Sequence, residues 1–300
     1  MSTAEPSEDL LAEYTLSRSL ALQWTAVSTM GFVAGLFGFV GVYFLATGDS
    51  AAVAFGIGSD AGWWNAGLSI LAFLALLFGV IVPHELVHGL AMRLYGGRPR
   101  YGVGLVYFVF PYAYATAEDR FTRNQFLVIT LAPLVVLTLL GTPVMVALEL
   151  PWLAVPLAAN VGGAVGDVWM ALTMLGYPST VTVLDTRTGP SVYGRPEEAP
   201  PMESPPPVRV VWDVLLGTGA AALAVLLLVA IVVPLMLGVT GVGSIRVGVP
   251  NSPLFLFAYE RSADGFAYSV GPLGLVVAPI VGVAYAFRRA RRVAGAERRR

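Results

Sequence analysis

The sequence holds two histidines, and they stand four residues apart in the run His84-Glu85-Leu86-Val87-His88-Gly89. On a helix, residues i and i+4 share a face, so both imidazoles can reach one metal ion. Glu85 follows the first of them, where a carboxylate can take a proton from water on that metal. Chance placement of two histidines around a glutamate at this spacing is on the order of a few in ten thousand. Cys is absent, so thiolate metal sites, disulfides and cysteine nucleophiles are excluded. The pattern points to a metal site of the zinc type.

A catalytic zinc ordinarily takes three protein ligands and leaves one position open. With no thiol and no third imidazole, the third ligand is expected to be a carboxylate. Counted at the helical rise, His84 and His88 lie roughly 8 to 14 Å from the end of their apolar segment at Arg93, and Asp167 about 15 Å from Tyr177. Asp167 is therefore the candidate ligand. Asp213, close to Arg209, is a poor second choice, and Glu149 falls at the wrong end of its segment. Asn160 lies two turns before Asp167 on the same face. It can bind a substrate carbonyl or the zinc-bound oxygen, or make an interhelical hydrogen bond.

The elements that position these residues are set by composition. Hydrophobic residues make up 56% of the 300 and charged residues 12%, with a mean hydropathy of +0.73. A water-soluble domain carries roughly 25% charge, so the solvent of this chain is largely lipid. Spanning helices need about 20 apolar residues. They are expected at about Gln23 to Ala46, Ala66 to Leu94, Gln125 to Leu148, Pro151 to Gly176 and Val214 to Leu237, with a weaker sixth at Tyr268 to Phe287. Pro83 removes the donor to the Gly79 carbonyl and predicts a kink just before the histidine motif.

The fold class is thus an all-α polytopic membrane protein of about six transmembrane helices, with short β-hairpins after the second and fourth. The hairpins are expected at Tyr101 to Ala117, aromatic and β-branched, and at Thr180 to Tyr193 around a Thr-Gly-Pro turn. The first of these, at the membrane, can hold an unwound substrate by strand addition, or form an aromatic interfacial belt. The expected divisions are a polar leader at 1–18, a four-span core at 19–193, a Pro-rich linker at 194–208, a two-span unit at 209–287 and an Arg-rich tail at 288–300. Arginines in that tail and in the Arg93 to Arg123 loop place both termini in the cytoplasm, and Asp49 and Asp60 mark an external loop. All 18 cationic residues are Arg and the net charge is −1. That balance excludes a nucleic-acid partner and points to a prokaryotic cell membrane.

The HExxH run in one span and Asn160…Gly166-Asp167 in a later one resemble the membrane-embedded putative zincin peptidase family, related to the site-2 proteases, over roughly Ile70 to Tyr193. The resemblance implies zinc on His84, His88 and Asp167, with Glu85 activating water for hydrolysis of peptide bonds in membrane-associated substrates. The expected partners are the lipid bilayer and a membrane-protein or peptide substrate. The residues alone leave open a non-catalytic metal-binding membrane protein, or a transporter component with a buried His/Glu/Asp relay.

Overall fold

The computed structural model describes residues 8–48, 63–106, 110–186, 189–199, 206–241, 243–250, 252, 254–262 and 265–297. The loop with Asp49 and Asp60, residues 107–109 of the aromatic segment, the linker residues 200–205 and Arg298 to Arg300 lie outside them. The described chain is mostly helical, with three small antiparallel sheets. Five of its helices are long and apolar enough to cross a membrane: Arg18–Thr47, Ile70–Leu94, Arg123–Ala147, Pro151–Met174 and Val208–Leu227.

The chain divides into two units, residues 1–21 with 31–208 and residues 22–30 with 209–300. The first unit opens with β1 (Asp9–Glu13) and contributes most of α1 (Arg18–Thr47). Ser17 caps α1 by accepting the Leu20 N–H, and Gly48, at φ 77°, ends it in the left-handed region. The second span is built of α2 (Trp63–Gly79) and α3 (Ile81–Leu94), interrupted at Val80, three residues before Pro83. Helix α3 exposes Val82, Leu86, Leu90 and Leu94 at four-residue spacing and buries His84, His88, Ala91 and Met92. The exposed stripe is suited to lipid and the buried one to the interior.

Strands β2 (Arg100–Val106) and β3 (Phe110–Thr116) pair antiparallel, with Tyr101 opposite Ala115, and β3 packs on α3. A short β4 (Arg120–Thr122) runs into α4 (Arg123–Ala147), whose start is held by a capping box of Thr122 and Gln125. The fourth span consists of a 3-10 turn at Pro151–Leu153, α5 (Ala154–Gly163) and α6 (Val165–Met174), broken at Ala164. Half of its apolar window, 50%, is buried, against 6% to 33% for the other four, so this is the inner span. Small residues let α1 approach it: a Cβ at Gly35 would lie 3.3 Å from the Ala158 Cα, and one at Gly31 3.6 Å from Gly162.

Strands β5 (Thr182–Thr186) and β6 (Gly189–Gly194) complete a four-stranded sheet of order β1-β6-β5-β4. The polar leader is therefore part of the core fold from Asp9 onward, with Asp9 opposite Gly194 and Glu13 opposite Ser191. Its Leu11 packs on the buried cluster of Met92, Phe121, Phe126, Met174 and Val183. Glu8 adds polar ties to Arg120 at 3.1 Å and Thr182 at 2.8 Å.

The second unit comprises α7 (Pro206–Leu227), a π turn at Leu228–Val232, α8 (Val233–Thr240), a sheet of β7 (Ser244–Val247), β8 (Phe257–Ser262) and β9 (Gly265–Val270), and α9 (Leu273–Glu297). Gly217 and Gly282 bring α7 and α9 together, and Asp213 pairs with Arg289 between them. The weaker sixth span differs from expectation. Residues Tyr268 to Val270 belong to β9, paired with β8, and α9 begins only at Leu273. The apolar stretch left before Arg288 rises about 22 Å, short of a hydrocarbon core of about 30 Å.

Candidate metal centre

Three elements converge on the HExxH motif: α3 carries it, α4 lies against it, and the inner span supplies Asn160 from α5 and Asp167 from the first turn of α6. His84 Nε2 stands 3.1 Å from Asp167 Oδ2, and His88 Nε2 stands 3.5 Å from Asp167 Oδ1. The two imidazoles meet edge to face with centroids 4.9 Å apart. All three side chains are only 10% to 11% exposed. Asp167, expected from depth alone, thus lies with the two histidines.

The other ring nitrogens decide what this cluster can bind. His88 Nδ1 lies 2.9 Å from the Ile129 carbonyl, which only accepts, so Nδ1 carries the proton. Asn160 Nδ2 donates to the Pro133 carbonyl at 3.2 Å, which turns Asn160 Oδ1 toward His84 Nδ1 at 2.9 Å. That nitrogen is also the proton-bearing one. Both Nε2 atoms face the carboxylate of Asp167, and as neutral rings the two imidazoles would offer their lone pairs to a metal ion there. A tetrahedral zinc with bonds of about 2.0 to 2.2 Å spaces its ligand atoms about 3.3 to 3.6 Å apart; the separation of 3.5 Å falls within that range and the one of 3.1 Å just below it. The residues fit the ion that the motif implies.

Asn160 is 1% exposed, and the oxygen and nitrogen of its amide are both engaged inside the protein. It makes the interhelical hydrogen bond with His84 that the sequence allowed. Glu85 sits on the neighbouring face of α3, with a carboxylate oxygen within 4.8 Å of a nitrogen of each imidazole. Its carboxylate accepts the Ala115 N–H from β3. One turn on, a Cβ at Gly89 would lie 1.9 Å from the Tyr101 hydroxyl, so glycine here leaves room for the end of that side chain.

Several residues at the site are not evident from the motif. Pro133 has no N–H, so the carbonyl of Ile129, four residues earlier, lacks its helical donor and is free to hold His88. A proline inside a span was a readable signal, since it always releases one carbonyl. Tyr14 donates to or accepts from Tyr177 at 2.7 Å and meets Trp169, two residues past Asp167, edge to face. Burial and the Tyr14 hydroxyl push the Tyr177 phenol well above its ordinary value. Asp213, the second choice as ligand, belongs to the other unit and pairs with Arg289. Glu149 lies beyond the end of α4, at φ 52°.

Residues 77–182, which contain all four of His84, Glu85, His88 and Asp167, match a family described as "Putative zincin peptidase". No curated protein and no solved structure matches the chain.

Proposed function

We propose that this protein is an intramembrane zinc metallopeptidase that hydrolyses peptide bonds of membrane-associated substrates. The observation that carries the reading is the geometry of the cluster: two imidazoles held at Nδ1 by fixed acceptors, with both Nε2 atoms aimed at one buried carboxylate. His84, His88 and Asp167 are the residues that would hold zinc, with Glu85 beside them.

The chemistry a zinc ion supplies when bound is Lewis-acid polarisation and activation of water near neutral pH. Glu85 takes up a proton on its carboxylate and returns it to the departing amine. The Ala115 N–H holds that carboxylate in place beside the histidines. Asn160 and Ile129 keep the two rings from turning. Because the Ala115 N–H points at Glu85, the outer edge of β3 runs past the base, and Ala113 presents its backbone groups along the same edge. A substrate strand laid on that edge would bring its carbonyls to Glu85.

The test measures zinc content and cleavage of membrane-anchored model substrates in the full chain. Wild type and Glu85→Gln are expected to bind zinc equally, with cleavage lower by about 10²- to 10⁴-fold in the variant. Cleavage that survives Glu85→Gln would refute the peptidase reading, and purified wild type free of zinc would remove its basis.

A further inference from the structure

In the second unit, α9 carries Arg288, Arg289, Arg291 and Arg292 in close succession, and the stretch from Leu273 to Phe287 before them holds no charged residue. This helix lies antiparallel along the span Val208–Leu227. A Cβ at Gly274 would lie 2.7 Å from Val225 Cγ1, and one at Gly217 would lie 2.9 Å from the Gly282 Cα. At the arginine end, Arg289 pairs with Asp213. The two helices therefore share their depth over about 20 Å.

Helical geometry divides the four arginines. Gly282 and Arg289, seven residues apart and so on one face, both meet α7. Arg288, Arg291 and Arg292 are exposed and belong to a different face. Ile280, Ala284, Arg288 and Arg292 follow one another at four-residue spacing, with Phe287 and Arg291 beside them. Ile280 is 67% exposed and Phe287 56%. The Arg291 guanidinium lies over the Phe287 ring, 4.2 Å from its centroid, which draws the charge back toward the apolar stripe. An exposed apolar stripe thus ends in three guanidinium groups that Asp213 does not neutralise.

Length decides what those groups meet. The apolar stretch rises about 22 Å against a hydrocarbon core of about 30 Å. As α9 follows α7 into the bilayer, either its arginine turn is drawn in to the level of the lipid phosphates or the bilayer thins around it. The planar fork of arginine matches the oxygens of a phosphate, and this bond is strong where one partner is charged and the other apolar-flanked.

We infer that the outward face of α9 binds an anionic phospholipid. Its acyl chains lie along Ile280, Ala284 and Phe287, and its headgroup phosphate rests on Arg288, Arg291 and Arg292. The site is independent of the metal centre. A zwitterionic headgroup carries the same phosphate but brings its own cation against the arginines. The net negative charge of the lipid therefore sets the preference.

The experiment titrates the full chain in detergent micelles and reads bound adducts by native mass spectrometry. The probes are phosphatidylglycerol, phosphatidylcholine with the same acyl chains, and glycerol phosphate. Wild type is expected to bind phosphatidylglycerol about tenfold more tightly than phosphatidylcholine, and Arg291→Gln should weaken that binding about fivefold, the effect of one basic residue near an anionic surface. Arg288→Gln, Arg291→Gln and Arg292→Gln together should abolish the preference. Arg246→Gln with Arg261→Gln, at two exposed positions on the sheet of the same unit, should leave it unchanged. Ile280→Ser should weaken both lipids alike. Thermal unfolding keeps a folding defect apart: without anionic lipid the triple variant should melt with wild type, and phosphatidylglycerol should raise the Tm of wild type alone. Equal affinity for the two lipids, or a preference that survives the triple substitution, overturns the inference. Glycerol phosphate bound as tightly as the lipid would make the cluster a site for free phosphate esters and overturn it as well.

Discussion

His88 Nδ1 donates to the carbonyl of Ile129 at 2.9 Å, a hydrogen bond that an ordinary helix would not offer. The carbonyl is available because Pro133 cannot donate to it. A backbone defect in α4 is in this way converted into the fixed orientation of a metal-site histidine on α3. The same proline's own carbonyl holds Asn160, which holds His84. One proline thus anchors both rings.

Pro133→Ala would restore the helical donor and make the Ile129 carbonyl share its lone pairs. Zinc affinity, measured by chelator competition, is expected to weaken by up to about tenfold, the lower range for loss of a ligand's supporting contact. Pro143→Ala, elsewhere in the same helix, should leave affinity unchanged. Equal effects of the two would show that α4 acts only through its overall shape.

Asn160→Ala removes the acceptor for His84 Nδ1 and frees the ring to turn. The expected loss of zinc affinity is about 10- to 100-fold. Asn160→Asp keeps an acceptor for His84 while losing the donor to Pro133, so it should fall between wild type and Ala.

Asp167→Ala should abolish stoichiometric zinc binding, as His84→Ala and His88→Ala should, because each removes one of three ligands. Asp213→Ala provides the contrast. It breaks a pair with Arg289 in the other unit and should leave zinc content at the wild-type level. Elemental analysis of the four purified variants decides the matter.

Asp185 yields a dependence of stability on pH. Its carboxyl is raised in the folded state, to about 7 from an ordinary 3.8, so the folded protein binds the proton more tightly than the unfolded chain. Stability should then fall as pH rises from about 4 through about 7. In zinc-free protein, Asp185→Asn removes this penalty, so the variant's Tm should exceed that of wild type at pH 8 by more than at pH 5. A difference in Tm independent of pH would show that the carboxyl is not perturbed.

Local features were readable without a structure. The i, i+4 spacing of His84 and His88 places them on one face, and long apolar runs mark the spans because lipid demands them. Pro83 announced the interruption now seen at Val80. Less legible was the sixth span, where Tyr268 to Val270 is apolar enough for a membrane but is claimed by a strand partner, Phe257 to Tyr259. The pairing of residues 9–13 with β6, some 180 positions later, is likewise beyond local reading.

By itself the sequence determined which groups were available: two imidazoles, no thiol and few acids in an apolar chain, with the HExxH face defined by helical geometry alone. Tertiary structure decided how those groups are oriented and what surrounds them. The Ile129 carbonyl, the Asn160 amide and Asp167 reach the centre from separate helices. Their meeting depends on long-range packing and sheet register, which no local periodicity records. A helix sets the spacing of its own side chains, but the proton on each imidazole is fixed by the acceptor that another part of the chain puts beside it.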